Sequence, residues 1–247
     1  MKLKKETYQK RTSKNFGGLS NPSKMPQKAY SIPAKFCQVG AKLVKIIGSV
    51  CAGFLLGFGC YALRGRYRFK NVEEALQRRY DLLILALENP SIGDKWVEEM
   101  SDHINRYSKN YFRWFESGDL VNLENLKLII RVCENTPDTK HWLATREYRT
   151  IWDFQREIIE GDGGLQLPDN LVLRVSAPMI DAKPFQKGHT FNTSTVHANK
   201  PHCGHRCPIT NGTQSCVSIG CVASVGGKEY KLACFNREVA NVSYQLH

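Results

Sequence analysis

The residues best suited to chemistry in this sequence are cysteines crowded near the carboxyl terminus. Five of the nine cysteines lie between positions 203 and 234, and Cys133 lies upstream of them. An even set of thiols in a segment rich in Pro, Gly, Asn and Thr is typical of a disulfide framework formed in an oxidising compartment. We therefore predict disulfides among six residues, with pairs that the sequence does not name. They are Cys133, Cys203, Cys207, Cys216, Cys221 and Cys234.

The same segment allows a different chemistry, a zinc site. Imidazole and thiolate are the usual zinc ligands, and the spacings of three and four residues between neighbouring cysteines are allowed, although the common C-x-x-C pair is absent. The candidate ligands are Cys203, His205, Cys207, Cys216 and Cys221. No cofactor is expected if the thiols form disulfides, zinc is expected if they do not, and free structural thiols are a third possibility.

Three sequons for N-linked glycosylation fall in this cysteine-rich segment. Asn192, Asn211 and Asn241 each begin an N-x-S/T triplet. Such triplets mark surface loops when the segment lies in a secretory compartment. Their restriction to one segment agrees with the disulfide hypothesis.

Motifs that would indicate catalysis are missing from the sequence. It contains no Gly-rich phosphate loop, no H-E-x-x-H and no G-x-S-x-G. Cys203 and His205 are close in sequence, but a catalytic thiol and its base usually meet through the fold and not through adjacency. We therefore name no catalytic residue and favour a protein that is not an enzyme.

An apolar run lies on the amino-terminal side of the cysteine-rich segment. If this run crosses a membrane, it determines on which side of the membrane the segment lies. Residues 46–63 are uncharged, and as a helix they would span about 27 Å, close to the roughly 30 Å of a bilayer core. Gly53 and Gly57 form a GxxxG pair that could pack two such helices together. Basic residues flank the run on both sides: Lys42, Lys45, Arg64, Arg66, Arg68 and Lys70. The run therefore predicts an uncleaved signal-anchor.

The positive charge of the chain is confined to its first quarter. Of the net +12, residues 1–70 carry fifteen Lys and Arg against one acidic residue, so the remaining residues have a small negative charge. A nucleic-acid reader would carry its basic face on the folded part. Nucleic acid is therefore an unexpected partner, and the basic tail instead favours an amino terminus on the cytoplasmic side.

The hydrophobic pattern divides the chain into four parts. These are a disordered basic tail (1–38), a transmembrane helix with basic flanks (39–70), a helical domain (71–161) and a cysteine-rich β and loop module (165–247). Apolar stripes at helical spacing fill the third part. In the fourth, residues 171–175 form a strand, and Gly226-Gly227 separates two β-prone runs as in a hairpin. The predicted fold class is α+β.

Together these patterns predict a single-pass type II membrane glycoprotein with a luminal or extracellular carboxyl terminus. Its disulfide-stabilised ectodomain would bind a protein or receptor partner, or form part of a cellular or viral envelope, with homo-oligomers possible. The alternative is a membrane-anchored cytosolic scaffold with a zinc module. A third possibility is a soluble protein whose apolar run packs in its own core.

Overall fold

Short buried strands alternate with amphipathic helices along most of the chain. The computed structural model describes residues 13–22, 27–52, 59–161, 164–199, 204–208 and 220–246. The helices are α1 (Gln38–Leu43), α2 (Lys70–Glu88), α3 (Pro90–Tyr107), α4 (Leu123–Glu134) and α5 (Tyr148–Glu160). The strands are β1 (Ala29–Tyr30), β2 (Tyr111–Trp114), β3 (Lys140–Thr145), β4 (Leu171–Ser176), β5 (Asn192–His197), β6 (His205–Arg206), β7 (Val222–Val225), β8 (Lys228–Lys231) and β9 (Asn241–Gln245).

A parallel sheet organises the fold. Within the described residues, seven strands form it in the order β1-β2-β3-β4-β5-β9-β6, and every neighbouring pair is parallel. Parallel neighbours need crossover connections, and α3 to α5 are among the elements that connect β1 to β4. The predicted α+β class is therefore wrong, and the protein is an α/β fold.

The two faces of the sheet carry different cores. Alternate residues of a strand point to opposite faces, so Leu143 of β3 packs with helices α2 to α5 while its neighbour Trp142 does not. We call the face bearing Trp142 the inner face. The carboxyl-terminal segment covers part of it, since the ring of Phe235 lies 5.1 Å from that of Tyr111 and 5.7 Å from that of Trp142.

The apolar run does not form the predicted membrane helix. Its first residues are turns that follow α1, and they pair with the loop after β4: Val50 donates its N–H to Pro178 (2.9 Å) and Gly48 accepts from Ile180 (2.9 Å). Ser49 and Ala52 are buried. None of the helices in the described ranges has the length and apolarity needed to cross a membrane. The predictions of a signal-anchor, a type II topology and a membrane location are therefore wrong, because the first residues of the run form turns whose backbone pairs with the loop after β4.

Residues 71–161 are not purely helical, although the predicted stripes are partly confirmed. Val72 to Leu87 lies in α2 and Leu123 to Cys133 lies in α4, but Phe112, Trp114 and Leu143 lie on strands. Strands buried on both faces lack polar alternation, so their apolar residues resemble a helical stripe. The predicted strand at 171–175 is confirmed as β4. The hairpin is confirmed as β7 and β8, which pair antiparallel across Gly226-Gly227.

Candidate metal centre at the carboxyl edge of the sheet

Three cysteines that the sequence placed in or beside the apolar run meet at the carboxyl edge of the sheet. Cys37 precedes α1, Cys51 lies in the turns after it, and Cys60 precedes a short 3-10 turn. All three side chains are half-buried. In parallel α/β sheets, ligands bind outside the carboxyl ends of the strands, so this is the edge where a functional site is expected.

The loop of Cys37 is fixed by a carboxylate that follows β3. One carboxylate oxygen of Glu147 accepts the backbone N–H groups of Gln38 (2.9 Å) and Val39 (3.1 Å). These are the first two residues of α1, whose amide groups have no partner inside the helix. Glu147 is buried, and this burial, together with the nearby Asp119, raises its pKa to about 7. The end of β3 therefore holds Cys37 in place.

The other two cysteines are held at the ends of β4 and β2. Cys51 follows Val50, whose N–H bonds the carbonyl of Pro178 just after β4 (2.9 Å). Cys60 precedes Tyr61, whose hydroxyl donates to the carbonyl of Glu116 just after β2. Three separate stretches thus bring their thiols to one edge, each through a residue adjacent to a strand end.

The sulfurs of Cys37 and Cys51 face one small space above Gly40. A methyl group placed on Gly40 would lie 3.7 Å from Sγ of Cys37 and 3.8 Å from Sγ of Cys51. The charge of the Cys60 thiolate would act on both of the other thiols, and it raises their pKa values. Glycine is the residue that leaves this space open.

Charged groups surround the three thiols. Burial raises the pKa of each thiol, and Asp119 raises that of Cys37 further, whereas Arg146 lowers those of Cys51 and Cys60. Asp119 accepts the backbone N–H groups of Leu120 (2.8 Å) and Arg146 (2.9 Å). The carboxylates near the thiols are therefore already engaged by backbone, and Arg146 favours the thiolate forms of Cys51 and Cys60, with Arg64 acting on Cys60 as well.

The cysteines predicted to form disulfides lie elsewhere. Cys133 is fully buried in α4, and Cys207, Cys221 and Cys234 lie among the residues that cover the inner face. No disulfide joins any two of the described cysteines. The prediction of a disulfide-stabilised ectodomain is therefore wrong, because the parallel sheet and its two cores supply the packing that the disulfides were expected to provide. Cys203 and Cys216 lie outside the described residues.

The residues of the zinc hypothesis are partly brought together. Sγ of Cys221 lies 3.5 Å from Nε2 of His205, and Cys207 is buried in the same apolar cluster as Cys221. Among the residues with a described position, no three His, Cys, Asp or Glu side chains are gathered closely enough to hold a metal ion as they stand. This result concerns a single metal ion. It does not exclude an iron–sulfur cluster, because the cluster is larger than one ion and its thiolate ligands lie farther apart.

The remaining sequence candidates that the structure describes occupy structural or surface positions. The side-chain amide of Asn192 donates to the carbonyl of Arg237 (2.7 Å), and that of Asn241 donates to Thr195 (3.2 Å) in a buried polar layer. Asn211, Gly53 and Gly57 lie outside the described residues. The basic flanks lie in or next to α1, the 3-10 turns after Cys60 and the start of α2; they are Lys42, Lys45, Arg64, Arg66, Arg68 and Lys70.

Sequence reasoning missed the thiols at the carboxyl edge and the groups around them. The missed residues are Cys37, Cys51, Cys60, Asp119, Arg146 and Glu147. Three cysteines left over beside an apolar run were the available signal, since a membrane helix has no need of them. Their position was not predictable because strand β1 has only two residues and shows no strand pattern in the sequence. Nothing in the sequence therefore indicated that the loops after β1 lie at the edge of a sheet.

A separate surface cavity of about 880 Å³ lies on the helical side of the molecule. Polar and charged residues line it, including Lys95, Glu99 and His103 of α3. It contains none of the three thiols, so its size does not make it the chemical site.

Comparisons with known proteins place the chain in a family. No curated protein and no solved structure matches it. A family model described as Gene product 88 matches residues 1–219, which includes the three thiols, the strands from β1 to β6 and all five helices described above. The chain therefore belongs to the Gene product 88 family.

Proposed function

We propose that the protein is an iron–sulfur enzyme whose cluster is held by Cys37, Cys51 and Cys60. The observation that carries this proposal is the convergence of three thiols, from three separate stretches, on the carboxyl edge of a parallel α/β sheet. Cysteine thiolates are the usual ligands of iron–sulfur clusters. The edge they occupy is where α/β enzymes bind their ligands.

The number of available ligands favours a cluster with one open iron. A [4Fe–4S] cluster takes four ligands, one for each iron, and the edge offers three thiols. Asp119 and Glu147 are the nearby carboxylates that act on Cys37, and both accept backbone N–H groups that hold their loops. A [4Fe–4S] cluster held by these three thiols would have one iron without a protein ligand, where a small molecule could bind.

An open iron determines what kind of substrate the site can use. When bound, such a cluster supplies an electron to the molecule that its open iron holds, and with S-adenosylmethionine this is radical chemistry. S-adenosylmethionine is the first cosubstrate to test because its amino and carboxylate groups can chelate one metal. In this chain, Arg146 offsets the negative charge of the thiolates, and Glu147 keeps Cys37 in position.

The test is anaerobic reconstitution of the full-length protein with ferrous iron and sulfide. We expect bound iron and sulfide in equal amounts, together with the broad visible absorption of a [4Fe–4S] cluster. Substitutions Cys37→Ala, Cys51→Ala and Cys60→Ala should each abolish the cluster. Cys133→Ala is the matched control, because Cys133 is a thiol buried in α4. The proposal fails if the wild-type protein assembles no cluster, or if Cys133→Ala loses it equally.

A second measurement tests the cosubstrate separately. Addition of S-adenosylmethionine to the dithionite-reduced protein should alter the electron paramagnetic resonance spectrum of the cluster and yield methionine and 5′-deoxyadenosine. A cluster that forms but does not respond would leave the iron–sulfur assignment standing and exclude this cosubstrate.

A further inference from the structure

A positively charged surface with exposed aromatic rings borders the carboxyl-edge site. Residues 61–70 form two 3-10 turns, Tyr61–Leu63 and Gly65–Arg68, which lead from Cys60 into α2. The chain from 34 to 72 contains seven Lys and Arg and no Asp or Glu. The exposed side chains of the two turns and the residues after them, which we call the basic patch, are Tyr61, Leu63, Arg66, Arg68, Phe69 and Lys70.

Two rings of the basic patch are left uncovered at fixed positions. Tyr61 is 61% exposed and Phe69 is 59% exposed. The hydroxyl of Tyr61 donates to the carbonyl of Glu116, and its ring lies edge-to-face with that of Tyr67 at 6.0 Å. The backbone N–H of Phe69 donates to the carbonyl of Arg66 (3.2 Å). Several large apolar side chains exposed together mark a surface that another molecule covers.

The cations of the basic patch are available to an anionic ligand. Arg66, Arg68 and Lys70 take part in no ion pair within the part of the chain that the structure describes. The carboxylate that acts on the neighbouring Tyr67 belongs to Glu116, and the charge of Arg113 lowers the pKa of that carboxylate. The patch therefore has a positive charge that its own acidic neighbour does not neutralise.

Cations that alternate with exposed rings fit single-stranded nucleic acid. Guanidinium groups bind phosphates, often through two hydrogen bonds, and unpaired bases stack on aromatic side chains. The bases of a duplex already stack on one another and would leave the rings uncovered. Protein interfaces gather aromatic residues in an apolar core inside a polar rim, whereas residues 66–69 alternate arginine with an aromatic ring. RNA commonly presents unpaired bases, in its loops and ends.

The basic patch is continuous with two of the three thiols at the carboxyl edge. It begins directly after Cys60, and its first turn contacts the 3-10 turn Ala34–Phe36, which directly precedes Cys37. Lys35 and Phe36 of that turn are also exposed, and Nζ of Lys35 lies 5.0 Å from the centre of the Phe36 ring. A strand of nucleotides along the patch would therefore pass beside these thiols.

We propose that the basic patch binds single-stranded RNA and presents it to the carboxyl-edge site. Binding requires only the residues of the patch, whereas the role of the RNA as substrate rests on the iron–sulfur function proposed above. The sequence made nucleic acid an unexpected partner because its positive charge was assigned to a tail and to the flanks of a membrane helix. The structure places residues 61–70 on the folded part of the molecule.

Binding is tested with full-length protein that carries no cluster, so the result does not depend on the iron–sulfur assignment. The probe is a fluorescent single-stranded RNA of about 12 nucleotides, followed by anisotropy. The triple variant Arg66→Gln, Arg68→Gln and Lys70→Gln should weaken binding at least about tenfold and reduce the slope of log Kd against log salt by about 2. Circular dichroism checks that each variant is folded.

The matched control removes three exposed cations from other surfaces. It should change the affinity by less than about threefold, since only contacts with phosphate release counterions. The lysines at the amino terminus are the same in both variants, so their contribution cancels. The control substitutions are Lys95→Gln, Lys109→Gln and Arg149→Gln.

Replacement of Phe69 separates stacking from charge. Phe69→Ala should weaken binding about fivefold or more without changing the salt slope, because it removes one stacked base but no charge. Phe69→Tyr keeps a ring and should retain the affinity, as should Ile159→Ala, which removes a 71% exposed side chain from α5. Wild-type affinity in Phe69→Ala, or equal competition by polyglutamate, would show a surface for acidic protein and overturn the proposal.

Photo-crosslinking locates the bound RNA. RNA that contains 4-thiouridine should crosslink to residues 35–37 or 59–70, as mapped by mass spectrometry. Crosslinks confined to residues 1–33 or to α3, equal binding of duplex RNA, or tighter binding of single-stranded DNA would overturn the proposal. Protein that binds RNA at the patch but assembles no cluster would support the RNA site and contradict only the iron–sulfur function.

Discussion

Two groups of cysteines in this protein have the same ligand chemistry but different surroundings. Cys37, Cys51 and Cys60 are half-buried among charged groups at the carboxyl edge, on loops held by strand ends. Cys207, Cys221 and Cys234 are buried among apolar side chains against the inner face. Access and charge make the carboxyl-edge group the better candidate for a site that receives a substrate. The difference teaches that the position of a thiol in the fold, and not its spacing in the sequence, indicates its role.

The largest loss of stability is expected from substitution of Arg174, which supports the segment that carries Cys234. The guanidinium of Arg174, fully buried, donates to six backbone carbonyls, including those of Ala233 (2.9 Å), Asn236 (2.8 Å) and Val239 (2.8 Å). Arg174→Met removes the guanidinium donor from all six of these carbonyls, and only some of them, such as those of Ala233 and Ala240, keep another donor. We expect the free energy of unfolding to fall by about 3 kcal/mol or more. Urea denaturation followed by circular dichroism measures it.

The control for this change is Arg149→Met, on the exposed side of α5. The side chain of Arg149 is 94% exposed, and its ion pair with Asp153 is long, at 3.9 Å. The expected change is within about 0.5 kcal/mol. Equal losses in the two variants would show that Arg174 has no special role on the inner face.

A smaller loss of stability is expected from substitution of Glu147, whose carboxylate supports the loop of Cys37. Glu147→Ala removes the acceptor of two backbone N–H groups and should reduce the free energy of unfolding by about 1–2 kcal/mol. Because those groups begin the helix after Cys37, reconstituted iron should fall as well. Glu147→Gln keeps an acceptor oxygen and should retain most of the iron. Unchanged iron binding in Glu147→Ala would contradict the role of Glu147 in holding Cys37 in position.

A substitution that barely affects stability should still block the carboxyl-edge site. In Gly40→Ala, the new methyl group would lie 3.0 Å from Cβ of Cys37 and fill the space between two sulfurs. Alanine also favours the helix by up to about 1 kcal/mol. The close contact with Cys37 opposes this gain, so we expect the free energy of unfolding to change by less than about 1 kcal/mol, together with a loss of reconstituted iron. Ala41→Ser, at the next and exposed position of α1, should keep the cluster. Full iron binding in Gly40→Ala would contradict the proposed geometry.

The smallest perturbation is chemical labelling of the metal-free protein, which leaves the cysteines of both groups unsubstituted. In a Cys203→Ser and Cys216→Ser background, Cys37, Cys51 and Cys60 should react with a thiol reagent at least about tenfold faster than Cys133, because access limits the reaction. Cys221 and Cys234 should react as slowly as Cys133. Peptide mapping by mass spectrometry gives the rates. Fast labelling of Cys221 would show that the inner-face group is not enclosed.

Local signals in the sequence were sufficient for some elements of the fold. The Gly226-Gly227 turn determines the β7–β8 hairpin, because positive φ at both positions is available to glycine without strain. The helical stripe from Val72 to Leu87 determines α2 in the same way, through spacing along a single element. Each of these predictions needed only residues that are neighbours in the sequence.

Only the tertiary structure decided the fold class and the candidate sites. Trp114 and Leu143 are as apolar as helix residues, and their strands are recognised only when β2 pairs with β3. The apolar run from Ile46 to Leu63 has the composition of a membrane helix, yet its first turns are bonded to the loop after β4. Apolar composition correctly indicated that Trp114 and Leu143 are buried, whereas Ile46 and Ile47 of the apolar run are 47% and 60% exposed. The strands that pair, and the thiols that come together, depended on contacts between separate elements, such as those of Gln38 with Glu147 and of Val50 with Pro178.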